Sequence, residues 1–182
     1  MNVYLMHREI VCKGLGISMI LIATLGWGLV YRRRLQLRIR QLQELIQVFA
    51  LLKGELEYQC QILPDAFIAC GTQVGGTCGQ WMEATGQRLN QMQGEDFQSI
   101  WAEELVILEK QTALSSADIE EVRRLGNQLS YPDIHTQLGV LERYRKGLEE
   151  KERILVGELP GKMRTGTMLG VLGGVFLAIL LV

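Results

Sequence analysis

Two uncharged apolar segments lie near the ends of the chain, at residues 14–31 and 166–182. As α-helices rising about 1.5 Å per residue, these segments have lengths close to the roughly 30 Å hydrocarbon core of a bilayer. Both segments are therefore predicted to be transmembrane helices. Residues 35–164 between them are polar enough to fold in water, and their number fits a single domain.

The pattern of apolar residues in 35–164 predicts helices, because it has helical spacing and no β-branched run alternates with period two. The first helix, of about 25 residues, has a heptad seam and could continue directly from the first apolar segment. Its seam consists of Leu35, Leu42, Leu45, Phe49, Leu52 and Leu56. A second, short helix begins at Pro64, and four glycines within 71–79 indicate a break or loose turn before a third helix at 80–93.

Three more helices are predicted in the second half of this region. The fourth begins near Phe97, where apolar residues return at helical spacing after Gly94. The stretch SSAD at residues 115–118 is typical of a helix N-cap and opens the fifth helix, and the sixth begins at Ile134. The sequence thus predicts an all-α antiparallel bundle of about six helices, flanked by two transmembrane helices.

Basic residues indicate the orientation of the chain. Arg32, Arg33 and Arg34 directly follow the first apolar segment. Basic residues beside a membrane span stay on the cytoplasmic side, so the bundle is predicted to be cytoplasmic and both termini to lie outside. A cleaved signal peptide is the alternative, but it requires a small-residue cleavage site and tolerates a following basic cluster poorly.

The net charge of −1 conceals an asymmetry along the sequence. Residues 1–40 carry seven basic and one acidic residue, whereas residues 41–182 carry twelve basic and nineteen acidic residues. A nucleic-acid-binding domain would show a basic face, so no nucleic-acid partner is predicted. The acidic region suits a basic protein partner, and the basic N-terminal part suits the anionic headgroups of a lipid bilayer.

The sequence offers no candidate site for catalysis, a metal or a cofactor. The four cysteines include no C-x-x-C pair and the two histidines are remote from them in sequence, which is unlike a zinc site. No nucleophile has an obvious base partner. We therefore predict a protein that is not an enzyme and binds no cofactor or small-molecule substrate. A membrane enzyme with a less obvious site stays open as an alternative.

Small residues recur every four positions in the second apolar segment, at Gly166, Gly170, Gly174 and Ala178. This spacing places them on one stripe of a helix, where transmembrane helices can approach closely. The stripe is predicted to pack against the first transmembrane helix or against another protomer.

Three motifs along the chain carry a family resemblance. LKGELEY at residues 52–58 leads to LPDAF at residues 63–67, and KMR at 162–164 precedes the apolar ending LGVLGGVFLAILL. In this order and combination the motifs resemble the stage III sporulation protein AB family of endospore-forming bacteria. The residues that match the family motif are Glu55, Tyr58, Pro64, Ala66 and Phe67.

The resemblance implies a function and partners. The family is similar in turn to the helical cytoplasmic domains of type II secretion F platform proteins. It implies a platform in a channel between mother cell and forespore, placed in the outer forespore membrane with the bundle in the mother-cell cytoplasm. The implied partners are the cognate sporulation ATPase, stage III sporulation protein AA, and other membrane proteins of the channel.

Two hypotheses about contacts remain to be separated. In the first, exposed acidic residues of the bundle contact the ATPase. The residues proposed for this role are Glu103, Glu104, Glu120 and Glu121. In the second, the chain is a membrane-tethered signalling or scaffolding protein that self-associates through its heptad helix.

Overall fold

The computed structural model describes the backbone of residues 2–59, 62–91, 96–130 and 133–181. Side chains are described for residues 26, 29–58, 62–91, 96–130 and 133–158. These residues form six α-helices and contain no strand, which confirms the predicted all-α class. The helices are α1 (Asn2–Gly54), α2 (Leu63–Val74), α3 (Gly76–Asn90), α4 (Phe97–Gln111), α5 (Ser116–Leu129) and α6 (Ile134–Leu181), and a π-helical turn (Glu55–Gln59) follows α1.

The chain divides into two compact units, one formed by residues 36–156 and the other by residues 1–35 together with 157–182. The described helices include none long and apolar enough to cross a membrane. Most side chains of the segment 14–31 and all those of 166–182, with the stripe of small residues, lie outside the described residues. The two membrane spans and their packing therefore stay predictions.

Helices α1 and α6 run antiparallel within residues 36–156. Lys53 Nζ lies 3.3 Å from Glu142 Oε2, and Gln43 Nε2 donates to Glu152 Oε1 at 2.7 Å. As residue numbers rise along α1, those of the neighbouring α6 residues fall. The end of α1 is therefore at the same end of the unit as the start of α6.

The apolar seam of α1 forms the centre of the core. Leu42, Leu45, Phe49 and Leu52 are fully buried, and Leu56 is nearly so. Because these side chains are covered by other helices of the same chain, they are not free to form a heptad dimer. Only the first predicted seam residue differs, since Leu35 is partly exposed and lies outside this core.

Aromatic packing joins α1 to α6 and the middle helices to one another. Phe49 of α1 meets Tyr144 of α6 edge-on, with ring centroids 5.2 Å apart. Trp101 of α4 lies 5.8 Å from Phe67 of α2 and 5.0 Å from Trp81 of α3. These pairs bury large apolar rings from several helices in one core.

The predicted break within residues 71–79 is present, but it is confined to Gly75 and Gly76, and the third helix begins at Gly76 and not at residue 80. Gly71 lies within α2 and Gly79 within α3, and only Gly75 and Gly76 have positive φ, at 63° and 66°. A Cβ on Gly79 would lie 2.7 Å from the Gly71 carbonyl oxygen. The absence of side chains at these two positions therefore lets α2 and α3 pack closely.

A buried carboxylate connects three helices at the other end of the unit. Asp118, fully buried in the first turn of α5, forms a capping box with Ser115. Its carboxylate also lies 2.8 Å from Arg38 of α1 and 3.3 Å from Lys151 of α6. Burial alone would raise the pKa of Asp118, but the Ser115 hydrogen bonds and the two cations outweigh it and hold the pKa below the ordinary value.

Gly126 of α5 provides a direct test of the packing around Trp101. A Cβ there would overlap the Trp101 indole, whose Nε1 donates to the Val122 carbonyl at 3.1 Å. We expect Gly126→Ala to lower the free energy of unfolding by about 1–3 kcal/mol through overpacking. Thermal unfolding of the full chain in detergent, followed by circular dichroism, measures this effect. The matched control is Gly139→Ala in α6, where nothing lies within 4 Å and helix propensity should stabilise slightly. Equal stability of the two variants would contradict the described packing.

Asp118→Asn tests the three-helix connection. The substitution leaves Arg38 and Lys151 without their shared anion. Removing one partner of a fully buried ion pair lowers the free energy of unfolding by about 3–5 kcal/mol. Because both cations are partly exposed, we expect a smaller loss of roughly 2–3 kcal/mol. Denaturant unfolding of the full chain measures the loss, with the exposed Asp65→Asn as the control, expected to cost at most about 1 kcal/mol.

The same carboxylate predicts a dependence of stability on pH. Because the pKa of Asp118 is lower in the folded state, its contribution is fully present above the ordinary aspartate value of 3.8 and is lost as the pH falls through the folded-state pKa. The difference in unfolding free energy between the wild type and Asp118→Asn should therefore shrink below about pH 4. A difference that stays constant down to pH 2 would show that the carboxylate charge does not stabilise the fold.

Candidate functional site: the Tyr58 end of the helical unit

A π-helical turn widens the chain directly after α1. It covers Glu55–Gln59, within the motif that carries the family resemblance. In this turn Leu56 keeps its place in the core with 3% exposure, whereas Tyr58 is 81% exposed. Such turns are rare and are often found at functional sites. The turn therefore places a large aromatic side chain in solvent directly beside the core.

The family-motif residues divide into a buried and an exposed group. Ala66 and Phe67 are fully buried in the core, and Pro64 lies in the first turn of α2, where the missing N–H costs no helical hydrogen bond. One carboxylate oxygen of Glu55, Oε2, is buried and has no hydrogen-bond partner among the described residues. Tyr58 is the motif residue that is available to a partner.

The end of the unit around Tyr58 is formed by the termini of all six helices. Asn90 at the end of α3 donates to Asp65 at the start of α2, at 2.8 Å. Gln98 at the start of α4 donates to Ser130, directly after α5. With the antiparallel pairing of α1 and α6, these contacts bring the ends of α1, α3 and α5 and the starts of α2, α4 and α6 to one end of the unit.

Three exposed large apolar side chains lie at this end. Tyr58 and Ile62, with 81% and 64% exposure, are the two most exposed large hydrophobic residues described within 36–156. Ile134, the first residue of α6, is 39% exposed at the same end. Exposed aromatic and branched aliphatic side chains are typical anchors of protein–protein interfaces.

The exposed side chains at this end carry more acidic than basic groups, and the nearest cations, Lys53 and Arg88, pair with glutamates. No lysine or arginine occurs between Lys53 and Arg88 or between Arg124 and Arg143. Four exposed carboxylates lie within these two stretches or directly before α4. They belong to Glu57, Asp65, Asp96 and Asp133.

Three of these carboxylates also serve the starts of helices. Asp65 lies in the first turn of α2, Asp96 accepts from the backbone N–H of Ser99, and Asp133 accepts from that of Thr136. The hydrogen bonds from Ser99 and Thr136 lower the pKa of Asp96 and Asp133, so both are ionised at neutral pH. Glu57 has no such helix-capping role.

The four glutamates hypothesised to contact a partner lie on α4 and α5 and have basic neighbours. Glu103 and Glu104 both pair with Arg88 of α3. Glu121 pairs with Lys151 at 2.7 Å. Glu120, the fourth, forms ion pairs with two arginines of its own helix.

Glu104 corrects the expectation that all four glutamates are exposed. It is buried, with 8% exposure, because it lies on the side of α4 that faces α3. The residues that sequence reasoning missed are Glu57, Ile62, Asp133 and Ile134. The long stretches without lysine or arginine were the signal that could have found them.

The described cysteines are buried, whereas the three arginines that follow the first apolar segment are exposed. Cys70 and Cys78 are buried thiols, and burial together with the charge of Glu55 raises the pKa of Cys70 to about 12, so it stays protonated. Within the described part of the chain, no group of three potential ligands could hold a metal ion. Arg32, Arg33 and Arg34 are all exposed.

Comparison with known proteins identifies the family. The family model described as stage III sporulation protein AB matches residues 13–182, which is nearly the whole chain. Searches of curated proteins and of solved structures returned no match. The match agrees with the resemblance carried by the motifs at residues 52–58 and 63–67. The chain therefore belongs to the stage III sporulation protein AB family.

Proposed function

We propose that this chain is a non-enzymatic membrane component of the complex that operates at stage III of sporulation. The family membership supports the sporulation role. The apolar segments 14–31 and 166–182 supply two membrane anchors in this proposal, and the exposed arginines after the first anchor favour a cytoplasmic position for residues 36–156. The membrane in question is the outer forespore membrane, with the helical unit facing the mother cell.

The helical unit then acts as a docking platform for the sporulation ATPase, stage III sporulation protein AA. The observation that carries this step is the 81% exposure of Tyr58 within a motif whose Ala66 and Phe67 are fully buried. A folded domain gains nothing from leaving such a side chain in water, whereas an interface gains a large, rigid anchor. Further membrane proteins of the channel complete the proposed complex.

The arrangement of ionisable side chains is consistent with a role in binding rather than chemistry. Asp118, Arg38 and Lys151 are engaged in ion pairs that join helices, and Cys70 is a poor nucleophile because its thiol stays protonated. In this proposal the chain couples the motion of the ATPase to the membrane complex without carrying out a reaction itself.

The heptad-dimer alternative is disfavoured by the burial of the α1 seam. Phe49 and Leu52 are fully buried among helices of the same chain. Self-association through this seam would first have to expose the core, with a cost of about 1.5–3 kcal/mol for each large side chain.

Tyr58→Ala tests the proposed docking. The full chain is purified in mild detergent from sporulating cells, and the co-purified ATPase is quantified. Loss of an aromatic anchor typically costs 2 kcal/mol or more, so we expect the retained ATPase to fall by about tenfold or more. The matched control is Ile107→Ala, which truncates an apolar residue of α4 that is 43% exposed. Equal retention by the two variants would contradict docking at Tyr58.

A further inference from the structure

We infer that the Tyr58 end binds a basic protein surface that has an apolar pocket for Tyr58 and Ile62; this rests on the proposed docking function. The Tyr58 end is defined here as the exposed residues at the junctions of α1 with α2 and of α5 with α6. It comprises Glu57, Tyr58, Ile62, Asp65, Asp133 and Ile134.

The apolar part of this surface is a product of the fold and not of incomplete packing. Leu56 is 3% exposed and Leu63 packs against the core, so apolar residues on both sides of the junction are covered. Tyr58 and Ile62 lie between them and face solvent. A partner that receives these two side chains would remove from water the two most exposed large apolar side chains among those described in this unit.

The charged part of the surface determines which partner fits. Lys53 and Arg88 are 35 positions apart in sequence, with no lysine or arginine between them. At the opposite end of the unit, by contrast, Arg38, Arg40 and Lys151 lie close together in sequence or in space. There the cations are paired, Arg38 and Lys151 with Asp118 and Arg40 with Glu44. The exposed carboxylates of the Tyr58 end instead form a local negative surface, which attracts cationic groups.

The same charges disfavour two other occupants. A two-fold contact between two copies through this end would bring its acidic surface against an identical acidic surface, and like charges repel. The cytoplasmic face of a membrane carries anionic lipids, which would be repelled in the same way. A basic protein surface is the occupant that satisfies both the apolar and the acidic part.

Glu57→Lys provides the sharpest test, because Glu57 is exposed, has no helix-capping role and lies one position from Tyr58. The matched control is Glu109→Lys, an equally simple charge reversal at an exposed position of α4. Both full-length variants are purified in detergent, checked for helical content and titrated with the purified ATPase between 50 and about 500 mM salt, a range over which screening of exposed charges becomes much stronger.

We expect wild-type affinity to fall several-fold as salt rises. Glu57→Lys should weaken binding about tenfold at low salt and flatten the salt dependence, whereas Glu109→Lys should match the wild type. Identical behaviour of the two variants, or wild-type affinity that does not change with salt, would overturn the inference while leaving docking intact. Self-association of the wild-type chain that Glu57→Lys abolishes would also overturn it, in favour of a second copy.

Failure of the proposed function has a different signature. If the wild-type chain binds no ATPase at any salt concentration, docking itself is wrong, and the inference that rests on it falls as well. If the wild type binds and only the predicted salt and charge effects are missing, docking stands and the partner surface is not basic. The two failures are therefore distinguished by the wild-type titration alone.

Discussion

The charge of Asp118 is the constraint around which one end of the helical unit is organised. A carboxylate that is fully buried must have its charge balanced, and here Arg38 and Lys151 supply the balance from two helices far apart in sequence. The first turn of α5 is thereby fixed between α1 and α6 at the end where these two helices continue beyond residues 36 and 156. A purely apolar contact would tolerate sliding of the helices, whereas this contact has one geometry.

The two ends of the unit differ in how their charged side chains are arranged. At the Asp118 end, charged side chains form ion pairs with side chains of opposite charge in the same chain. At the Tyr58 end, the carboxylates serve helix starts or face solvent, and no lysine or arginine of the adjoining segments neutralises them.

The helices themselves could largely be predicted from sequence. The α1 seam appeared as a heptad pattern, and the capping box of Ser115 and Asp118 was visible as the SSAD stretch. Local signals of this kind depend on residues three or four positions apart, which a sequence displays directly. The six helices were predictable for the same reason, whereas the family motif was identified by its resemblance to a known family.

The features that escaped prediction depend on contacts between distant residues. Glycine suits both a turn and a close helix contact, so the sequence alone could not show that Gly71 lies within a helix that packs against Gly79. Glu103 and Glu104 look equivalent in sequence, and only the position of α3 buries the second. The exposure of Tyr58 depends on a π-helical turn, for which sequence patterns at helical spacing give no signal.

The antiparallel pairing of α1 with α6 has a consequence for how the chain is made. Gln43 and Glu152 are 109 positions apart, so α1 cannot form its contacts with α6 until α6 has left the ribosome. The neighbouring helices α2 and α3 need only their short glycine junction and can pair early, because local contacts form fastest. During synthesis Phe49 and Leu52 therefore remain without their α6 neighbours until the end, and premature termination before α6 would release a chain with an open, aggregation-prone core.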